Sequence, residues 1–254
     1  MLADQRCRYI VRVLHSQASV STLELSRALH VSAETIRRDL VRLERQGELR
    51  RVFGGAVSVT RQRKSEPSFD RRSAINSDKK RAIGEACRDV VADAETIFID
   101  VGTTGQAVAA ALAPTFTGTI VTHSLLVAIE VAEGSTAELV LAPGRMRRGE
   151  WSLTGAATHE FLANMRYDVA LVSCGGVDAA AGPTDFDFDD AEVKRTVAQH
   201  AERAYVLADS SKHGVVGRYV IGDWYDVSGI VTDSAPPEGL AASIWSAGGE
   251  IHHP

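Results

Sequence analysis

The chain has 254 residues, of which 44% are hydrophobic and 24% are charged, a composition typical of folded proteins and not of disordered ones. Its net charge of −5 conceals an asymmetry, because residues 1–64 hold 13 Lys/Arg against 6 Asp/Glu (+7), whereas the remainder holds 15 against 27 (−12). The basic part suits nucleic-acid phosphates and the acidic part would be repelled by them, so we expect two domains with different partners.

Neither end of the chain nor its interior carries a membrane or metal signal. No apolar run approaches the roughly 18 residues of a membrane span, and the N-terminus MLADQRCRYI lacks the apolar core of a secretory signal. Cys7, Cys87 and Cys174 form no CxxC pair, and the histidines show no HExxH spacing. We therefore expect a cytoplasmic protein with reduced thiols and with no metal, cofactor or membrane association.

Two short helices are predicted near the N-terminus. Residues 4–16 carry Ile10, Val13 and Leu14 on one helical face. The segment Ser21–Glu24 has the spacing of a capping box and opens a second helix. A tight connection at residues 30–32 then leads to a third, so the sequence predicts a helix, a turn and a further helix.

The third predicted helix, Val31–Gly47 (VSAETIRRDLVRLERQG), has one apolar and one cationic side. Ser32 is its predicted N-cap, and Val31 can pack against Ile36 as a hydrophobic staple. The apolar stripe contains Ile36, Leu40 and Leu43, and the other sides carry Glu34, Arg37, Arg38, Arg42 and Arg45. Taken alone, this pattern is that of a DNA-recognition helix or of a solvated surface helix.

A hairpin is predicted directly after this helix. Residues 48–59 (ELRRVFGGAVSV) indicate two short strands around Gly54-Gly55, which would carry Arg50 and Arg51 on a basic wing. Helix, turn, helix and wing then follow one another in the order of a winged helix-turn-helix domain, which we place at residues 1–60.

The stretch VSAETIRRDLVRLERQGELRRVFGGA closely resembles the DNA-binding signature of the DeoR-type bacterial transcriptional regulators. The resemblance implies that the TIRRDL helix enters the major groove and that the wing lies along the DNA backbone. Phe53 stands where that family commonly has histidine or another polar ring. The candidate DNA-binding residues are Ser32, Glu34, Thr35, Arg37, Arg38, Arg42 and Arg51.

The segment after the wing is polar, contains Pro67 and lacks periodicity, so we place a linker at residues 61–78. From residue 79 to residue 254 helices alternate with apolar strands, which predicts an α/β domain with a parallel sheet flanked by helices. The predicted strands are 96–99, 119–121, 138–141, 168–174, 205–208 and 229–232. The predicted helices are 79–91, 106–112, 125–132, 153–165 and 190–202.

The residues that follow these strands are polar and rich in glycine. Asp100–Gly105 offers small residues, two hydroxyls and a helix N-terminus to an anion such as a phosphate, although a plain strand-to-helix turn has the same composition. Other polar strand ends are Thr122–Ser124, Pro143–Arg145, Cys174–Asp178 and Asp209–Lys212. Together their hydroxyls, carboxylates and cations suit a phosphorylated sugar or polyol.

The segments IFIDVGTT, GGVDAAAGPT, DDAEVKR and VLADSSKHG extend the resemblance to the effector domain of DeoR-type regulators. This resemblance implies a fold like that of ribose-5-phosphate isomerase and a phosphorylated metabolite as effector, with its phosphate at Asp100 and Gly102–Thr104. His123 departs from the Asn usual in the family. The candidate effector-binding residues are Asp100, Gly102, Thr103, Thr104, Thr122, His123, Ser124, Gly176, Asp178 and Lys212.

Three functions remain open from the sequence. We expect a DNA-binding transcriptional regulator that represses a carbohydrate-metabolism operon and that a phosphorylated sugar releases from double-stranded operator DNA. A sugar-phosphate isomerase with a DNA-binding appendage could use Asp100, Asp178, Asp209 and Lys212 for proton transfer, but no catalytic residue is assigned. An activator or architectural protein would have the same sequence features. In each case one winged helix covers a single half-site, so we expect a homo-oligomer, a dimer or a tetramer.

Overall fold

The computed structural model describes residues 3–17, 19–45, 49–58, 61–62 and 66–254. It divides the chain into two compact units. Unit 1 comprises Met1–Arg61 and Pro237–Leu240, and unit 2 comprises Gln62–Pro236 and Ala241–Pro254. Within the described residues no helix combines the length and the apolar composition needed to cross a bilayer.

Unit 1 contains three helices and a small antiparallel sheet in its described part. The elements are α1 (Ala3–Gln17), β1 (Ser19–Ser21), α2 (Thr22–Leu29), α3 (Ala33–Arg45), β2 (Leu49–Val52) and β3 (Gly55–Ser58). The strand order is β1-β3-β2. The buried core is built from Ile10, Leu14, Leu25, Leu29, Ile36, Leu40, Leu43 and Leu49, so the predicted apolar faces of all three helices meet.

The turn between α2 and α3 forms as the sequence predicts. Ser21 and Glu24 make the complete capping box at the start of α2. His30 ends that helix in the left-handed conformation, with φ 52°. The hydroxyl of Ser32 then accepts a hydrogen bond from the backbone N–H of Thr35 at 3.2 Å, which confirms Ser32 as the cap of α3.

The wing differs from its prediction by one residue. Val52 pairs with Gly55, so the two-residue loop is Phe53-Gly54 and not Gly54-Gly55. Gly54 has φ +85°, a conformation that glycine adopts without steric penalty. The strand β1, which the sequence analysis missed, pairs with β3 and places Gly55 directly against the backbone of Val20. Gln46, Gly47, Glu48 and Val59, which were included in the predicted helix and wing, lie outside the described residues.

Unit 2 contains a parallel sheet with helices around it. After β4 (Arg61–Gln62), which crosses the unit boundary, its helices are α4 (Phe69–Ala74), α5 (Ser77–Val90), α6 (Gly102–Leu112), α7 (Leu125–Gly134), α8 (Ala156–Ala163), α9 (Phe188–Gln199) and α10 (Glu238–Ser246). Its strands are β5 (Thr96–Ile99), β6 (Thr119–Thr122), β7 (Glu138–Leu141), β8 (Arg145–Arg147), β9 (Ser152–Thr154), β10 (Tyr167–Ser173), β11 (Gly176–Asp178), β12 (Gly182–Asp185), β13 (Ala201–Leu207), β14 (Val215–Val216), β15 (Tyr219–Val220), β16 (Gly229–Val231) and β17 (Glu250–His252).

The central sheet has the strand order β17-β16-β13-β10-β5-β6-β7, and neighbouring strands are parallel throughout. Its core includes Ile97, Ile99, Ile120, Val169, Leu171 and Leu207. The order reverses between β5 and β10, which are adjacent in space and distant in sequence. Ligands of open parallel sheets bind at such a switch point, beyond the carboxyl ends of the strands.

The six predicted strands and five predicted helices of this unit are present, which confirms the α/β fold class. The sequence analysis missed the short hairpin β8–β9, the sheet β11-β12-β15, and the final α10 and β17. Residues 153–165 were predicted as one helix, but β9 takes the first two and the helix starts only after Gly155, whose φ is +110°. The predicted linker contains the helix α4, and its residues from Glu66 onward belong to unit 2.

Candidate functional site

Helix α3 presents its cationic side to solvent in unit 1. The side chains of Arg37 and Arg38 are 63% and 82% exposed. Arg37 donates to Glu34 at 3.2 Å, and Arg38 lies 3.8 Å from the other oxygen of the same carboxylate. Exposed pairs of this kind contribute about 0–1 kcal/mol, so both guanidinium groups can exchange Glu34 for DNA phosphates or base edges at little cost.

Three predicted DNA-binding residues are tied into the local structure. The hydroxyls of Ser32 and Thr35 lie 2.9 Å apart and share a hydrogen bond at the start of α3. Arg51 of the wing donates its backbone N–H and its Nε–H to Glu44, at 2.9 and 2.7 Å. Arg51 therefore fixes the wing against α3, while Arg42 remains on the exposed side of the helix.

The position of α3 also depends on a contact that the sequence analysis missed. Arg6 of α1 donates through Nε and Nη2 to the two carboxylate oxygens of Asp39, at 2.8 and 3.2 Å. Asp39 is buried on the inner side of α3. This bidentate pair fixes α3 against α1, and its signal in the sequence is a single aspartate within an otherwise apolar stripe.

A cavity of about 550 Å³ lies in unit 2 at the carboxyl ends of β5 and β10. Its walls combine glycine and hydroxyl groups with charges of both signs. The residues that bear charges in the wall are Glu66, Arg71, Arg72, Lys80, Glu150, Asp185, Asp190, Lys194, Asp209 and Lys212. A volume of this size accommodates a small metabolite.

The turn from β5 into α6 forms one wall of the cavity. Gly102, Thr103 and Thr104 line it, and α6 has no side-chain cap at Val101. Gly102 has φ +90°, and a Cβ at Gly105 would lie 2.0 Å from the carbonyl oxygen of Asp100. Glycine is therefore required at both positions. The residues of the first turn of α6 line the cavity, and a helix N-terminus of this kind favours an anion.

A buried charge cluster lies beneath this turn. Lys194 donates to Asp185 at 2.5 Å and lies 3.5 Å from Asp100. Asp100 also accepts from the backbone N–H and hydroxyl of Ser173, at 2.9 and 2.7 Å, and contacts His123 at 3.0 Å. Burial disfavours the charged form of Asp100, but Lys194 and His123 outweigh it and hold its pKa at about 2.

The same cluster determines the charge of Lys194. Burial of this ammonium lowers its pKa, but Asp100 and Asp185 outweigh that effect and hold the pKa well above its ordinary value. Lys194 is thus a permanent cation with two carboxylate partners, and it lines the cavity. Its role in the wall is to hold Asp100 and Asp185 in place.

A second group of charges comes from the segment before α5. Arg72 contacts Glu66 at 3.4 Å and also pairs with Glu150. Lys212, from the turn after β13, contacts the other oxygen of Glu66 at 3.1 Å. The Nζ of Lys80 donates to the carbonyls of Arg72 and Ile75, and burial lowers the pKa of this lysine.

Two buried polar atoms of the wall have no hydrogen-bond partner within the described residues. One is the Nε–H donor of Arg72 and the other is the acceptor Oδ1 of Asp190. Buried polar atoms of this kind are uncommon in folded proteins. Both atoms belong to residues that line the cavity.

Thr122, His123 and Ser124 do not line the cavity, in contrast to the sequence expectation. The hairpin β8–β9 covers them, because Leu153 donates its N–H to the carbonyl of His123 and Ser124 forms a bridge with Ser152. Thr122 donates to the carbonyl of Ile99, and Ser124 caps α7. All three side chains are buried and bonded internally. His123 reaches the site only through Asp100.

Gly176 and Asp178 also lie outside the cavity wall. A Cβ at Gly176 would lie 2.3 Å from the carbonyl oxygen of Val215, so this glycine permits close packing of backbone. Asp178 accepts from the N–H groups of Ala180 and Ala181, at 2.9 and 3.1 Å, and so closes the turn between β11 and β12. Both positions are explained by local structure.

Of the ten candidate effector residues, Gly102, Thr103, Thr104 and Lys212 line the cavity, and Asp100 lies directly behind its wall. Arg72, Lys80 and Lys194 also line the cavity and were not predicted from the sequence to do so. Arg72 and Lys80 were assigned to a linker and a helix start, and Lys194 lies inside a helix in the motif DDAEVKR. The available signal for Lys194 was a lysine that follows five acidic residues within positions 185–192.

Within the described residues no group of three or more His, Cys, Asp or Glu side chains could hold a metal ion. Cys174 lines the cavity, but burial raises its pKa to about 12 and its thiol donates to the carbonyl of Leu207. Cys7 and Cys87 are buried and unbridged as well.

Both parts of the chain match known family models. Residues 6–62 match the model described as the DeoR-like helix-turn-helix domain. Residues 75–234, more than half of the chain, match the model described as the DeoR C terminal sensor domain.

Whole-chain relatives cover nearly the same length. The chain is 32% identical over 228 residues to the HTH-type transcriptional repressor CsqR of Escherichia coli strain K12, which covers 90% of this chain and 87% of that protein. It is 31% identical over 237 residues to the glycerol-3-phosphate regulon repressor of the same organism, which covers 93% of each. Among solved structures, ribose 5-phosphate isomerase A of Methanocaldococcus jannaschii covers 54% of this chain and 55% of its own, with 17% identity and a TM-score of 0.41.

Proposed function

Because the chain belongs to the DeoR family of DNA-binding transcriptional regulators, we propose that it represses a carbohydrate-metabolism operon and is released from its operator by a phosphorylated sugar or polyol. It is a regulator and not an enzyme, since the family consists of DNA-binding regulators. We place it in the cytoplasm, the compartment that holds prokaryotic DNA.

The proposal for DNA binding assigns the contacts to the exposed side of α3 and to the wing. Arg37 and Arg38 have the exposure and the weak local pairing that DNA contacts require. Thr35 and Glu34 lie at the N-terminal end of the same helix, the end that approaches base edges in helix-turn-helix proteins. Arg51 positions the wing through Glu44 and leaves Arg50 exposed for the phosphate backbone.

The proposal for the effector is carried by the cavity wall, in which an uncapped helix N-terminus and two cations face buried carboxylates. A phosphate fits the side of Gly102–Thr104, Arg72 and Lys212, because helix N-termini and guanidinium groups both favour dianions. Hydroxyl groups fit the side of Asp190, whose Oδ1 has no hydrogen-bond partner among the described residues. The name of one relative, the glycerol-3-phosphate regulon repressor, contains a phosphorylated polyol and supports the same class.

We further propose that the protein binds operator DNA as a homo-oligomer. One winged helix contacts one half-site, so two copies are needed for a palindromic or repeated operator. Unit 2 is the larger part of the chain and the acidic one, so it is the part suited to hold copies together away from DNA.

A thermal-shift screen tests the effector class. A ligand that binds only the native state raises its melting temperature, by mass action. We expect a rise with one or more sugar phosphates or polyol phosphates and none with the corresponding unphosphorylated compounds. In the Lys212→Ala variant the same rise should need roughly ten times more ligand, which corresponds to about 1.4 kcal/mol. A rise with the unphosphorylated compounds alone would exclude the proposed class.

A further inference from the structure

The carboxylate of Glu66 occupies a position between two cations of the cavity wall. Its Oε2 lies 3.4 Å from Nη1 of Arg72, and its Oε1 accepts from Nζ of Lys212 at 3.1 Å. All three side chains are largely buried, with exposed fractions of 21%, 14% and 15%. Glu66 therefore neutralises, from within the chain, the two cations that a bound anion would use.

While Glu66 stays in place, the charged groups around Arg72 disfavour the binding of a further anion. Arg72 pairs with Glu150 as well as with Glu66, so two cations face two carboxylates. Burial raises the pKa of Glu150, and the nearby Glu66 adds to that rise although Arg72 opposes it. A phosphate monoester brings a further charge of about −1.5 to −2 at pH 7, and while Glu66 stays in place Arg72 and Lys212 are already paired with carboxylates.

An anion bound at the N-terminus of α6 would lie close to the guanidinium of Arg72. Arg72 Nη1 lies 3.7 Å from the position of a Cβ built on Gly102, at the N-terminus of α6. An anion bound by α6 is thus within reach of the guanidinium that Glu66 now holds. Arg72 itself lines the cavity, and its Nε–H has no hydrogen-bond partner among the described residues.

Glu66 lies in the segment that leads from one unit to the other. The boundary falls between Arg61 and Gln62, and Glu66 is four residues beyond it. Pro67, which also lines the cavity, follows it directly. Glu66 is thus the first described residue after the part of the chain that leads from unit 1.

We propose that Glu66 is an internal competitor of the effector: a phosphate bound at Gly102–Thr104 displaces the Glu66 carboxylate from Arg72 and Lys212, and this displacement loosens residues 66–72. The inference rests on the proposed phosphorylated effector. Glu66 acts as a positioning residue of the effector-free state, and the effector replaces its two ionic contacts.

Glu66→Gln tests the competition directly, because it removes the charge and keeps the size of the side chain. The probes are glycerol 3-phosphate, ribose 5-phosphate and inorganic phosphate. Calorimetry measures the binding of each probe to each protein. We expect the best of these probes to bind the variant roughly tenfold more tightly than the wild type. Glu85→Gln, an exposed glutamate of α5, should bind like the wild type. Weaker binding by Glu66→Gln would show that Glu66 contacts the ligand and would overturn the inference.

Hydrogen exchange of the peptide covering residues 66–72 provides the second readout. The probe should slow exchange at residues 102–106 and speed it at residues 66–72 in the wild type. Without any probe, Glu66→Gln should already show the faster exchange, whereas Glu150→Gln, which removes the other carboxylate from Arg72, should not. Equal exchange in the wild type and Glu66→Gln would contradict the inference even if no probe bound. A failure of every phosphorylated probe with the wild type would instead count against the proposed effector class.

Discussion

The exposed side of α3 and the buried wall of the cavity both concentrate charge, but they use it in opposite ways. Arg37 and Arg38 share one exposed glutamate through loose contacts, so they can change partner freely. Lys194 lies between Asp100 and Asp185 with almost no exposure to water. Charge on the helix is available for binding, whereas the charge in the wall is paired within the unit, through Lys194 with Asp100 and Asp185 and through Arg72 and Lys212 with Glu66.

Lys194→Ala should produce the largest effect on folding. The substitution leaves Asp100 and Asp185 buried without their cation, and breaking a buried pair in this way costs about 3–5 kcal/mol. Urea unfolding at pH 7 measures the change. A loss of less than about 1 kcal/mol in the free energy of unfolding would mean that water or another cation replaces the lysine. The charge of the cavity wall would then not be needed to hold the structure.

Thr103→Glu should separate the two regions functionally. It places a carboxylate at the N-terminus of α6, where the effector's anion is proposed to bind, so effector affinity should fall by at least roughly a hundredfold. Operator affinity in a mobility-shift titration should stay at the wild-type value, giving a repressor that no longer responds. Normal release of this variant by the effector would place the phosphate elsewhere.

Acid should weaken the cavity wall through Asp100. Its pKa is about 2 in the folded protein and about 3.9 when unfolded, so its charge stabilises the fold fully above the unfolded value and ceases to do so as the pH falls through about 2. The contribution is roughly 2–3 kcal/mol. Asp100→Asn should thus be less stable than the wild type at pH 6, and the gap should close between pH 4 and pH 2. A gap independent of pH would contradict this reading.

Arg38→Ala should have the smallest effect on stability and a selective effect on binding. Its exposed side chain contributes less than about 0.5 kcal/mol to folding, so the unfolding midpoint should not move. If Arg38 contacts guanine through two hydrogen bonds, discrimination at that base should fall by about 1–3 kcal/mol, whereas a phosphate contact would weaken all sequences alike. Unchanged operator affinity at fixed salt would remove this side of α3 from the interface.

Patterns in the sequence predict the DNA-binding unit better than the cavity. The reason is the sequence separation between the residues that contact one another in each. The cap at Ser32 and the apolar stripe of α3 are local, so the spacing of residues is enough to predict them. Arg72 and Glu66 reach the cavity only because the segment before α5 folds back against strand ends far along the chain. No local pattern contains that contact.

The triplet Thr122–Ser124 is the opposite case, because it was expected in the cavity wall and does not line it. These polar residues follow a strand, as Gly102–Thr104 and Lys212 do, and such positions usually face a ligand site. Here the hairpin β8–β9 packs over them and uses their backbone groups. The hairpin has strands of only three residues, too short for an alternating pattern to reveal, so the sequence analysis had no means to predict this cover.

The most direct test of the account is effector-dependent release from DNA. An operator duplex, first selected from the surrounding genomic DNA by mobility shift, carries a fluorescent label, and its anisotropy is followed while the phosphorylated compound that raises the melting temperature is added. The account predicts that the wild type leaves the operator as the cavity fills, and that Thr103→Glu stays bound. A compound that fills the cavity with no change in operator affinity would contradict the central claim that this cavity controls DNA binding.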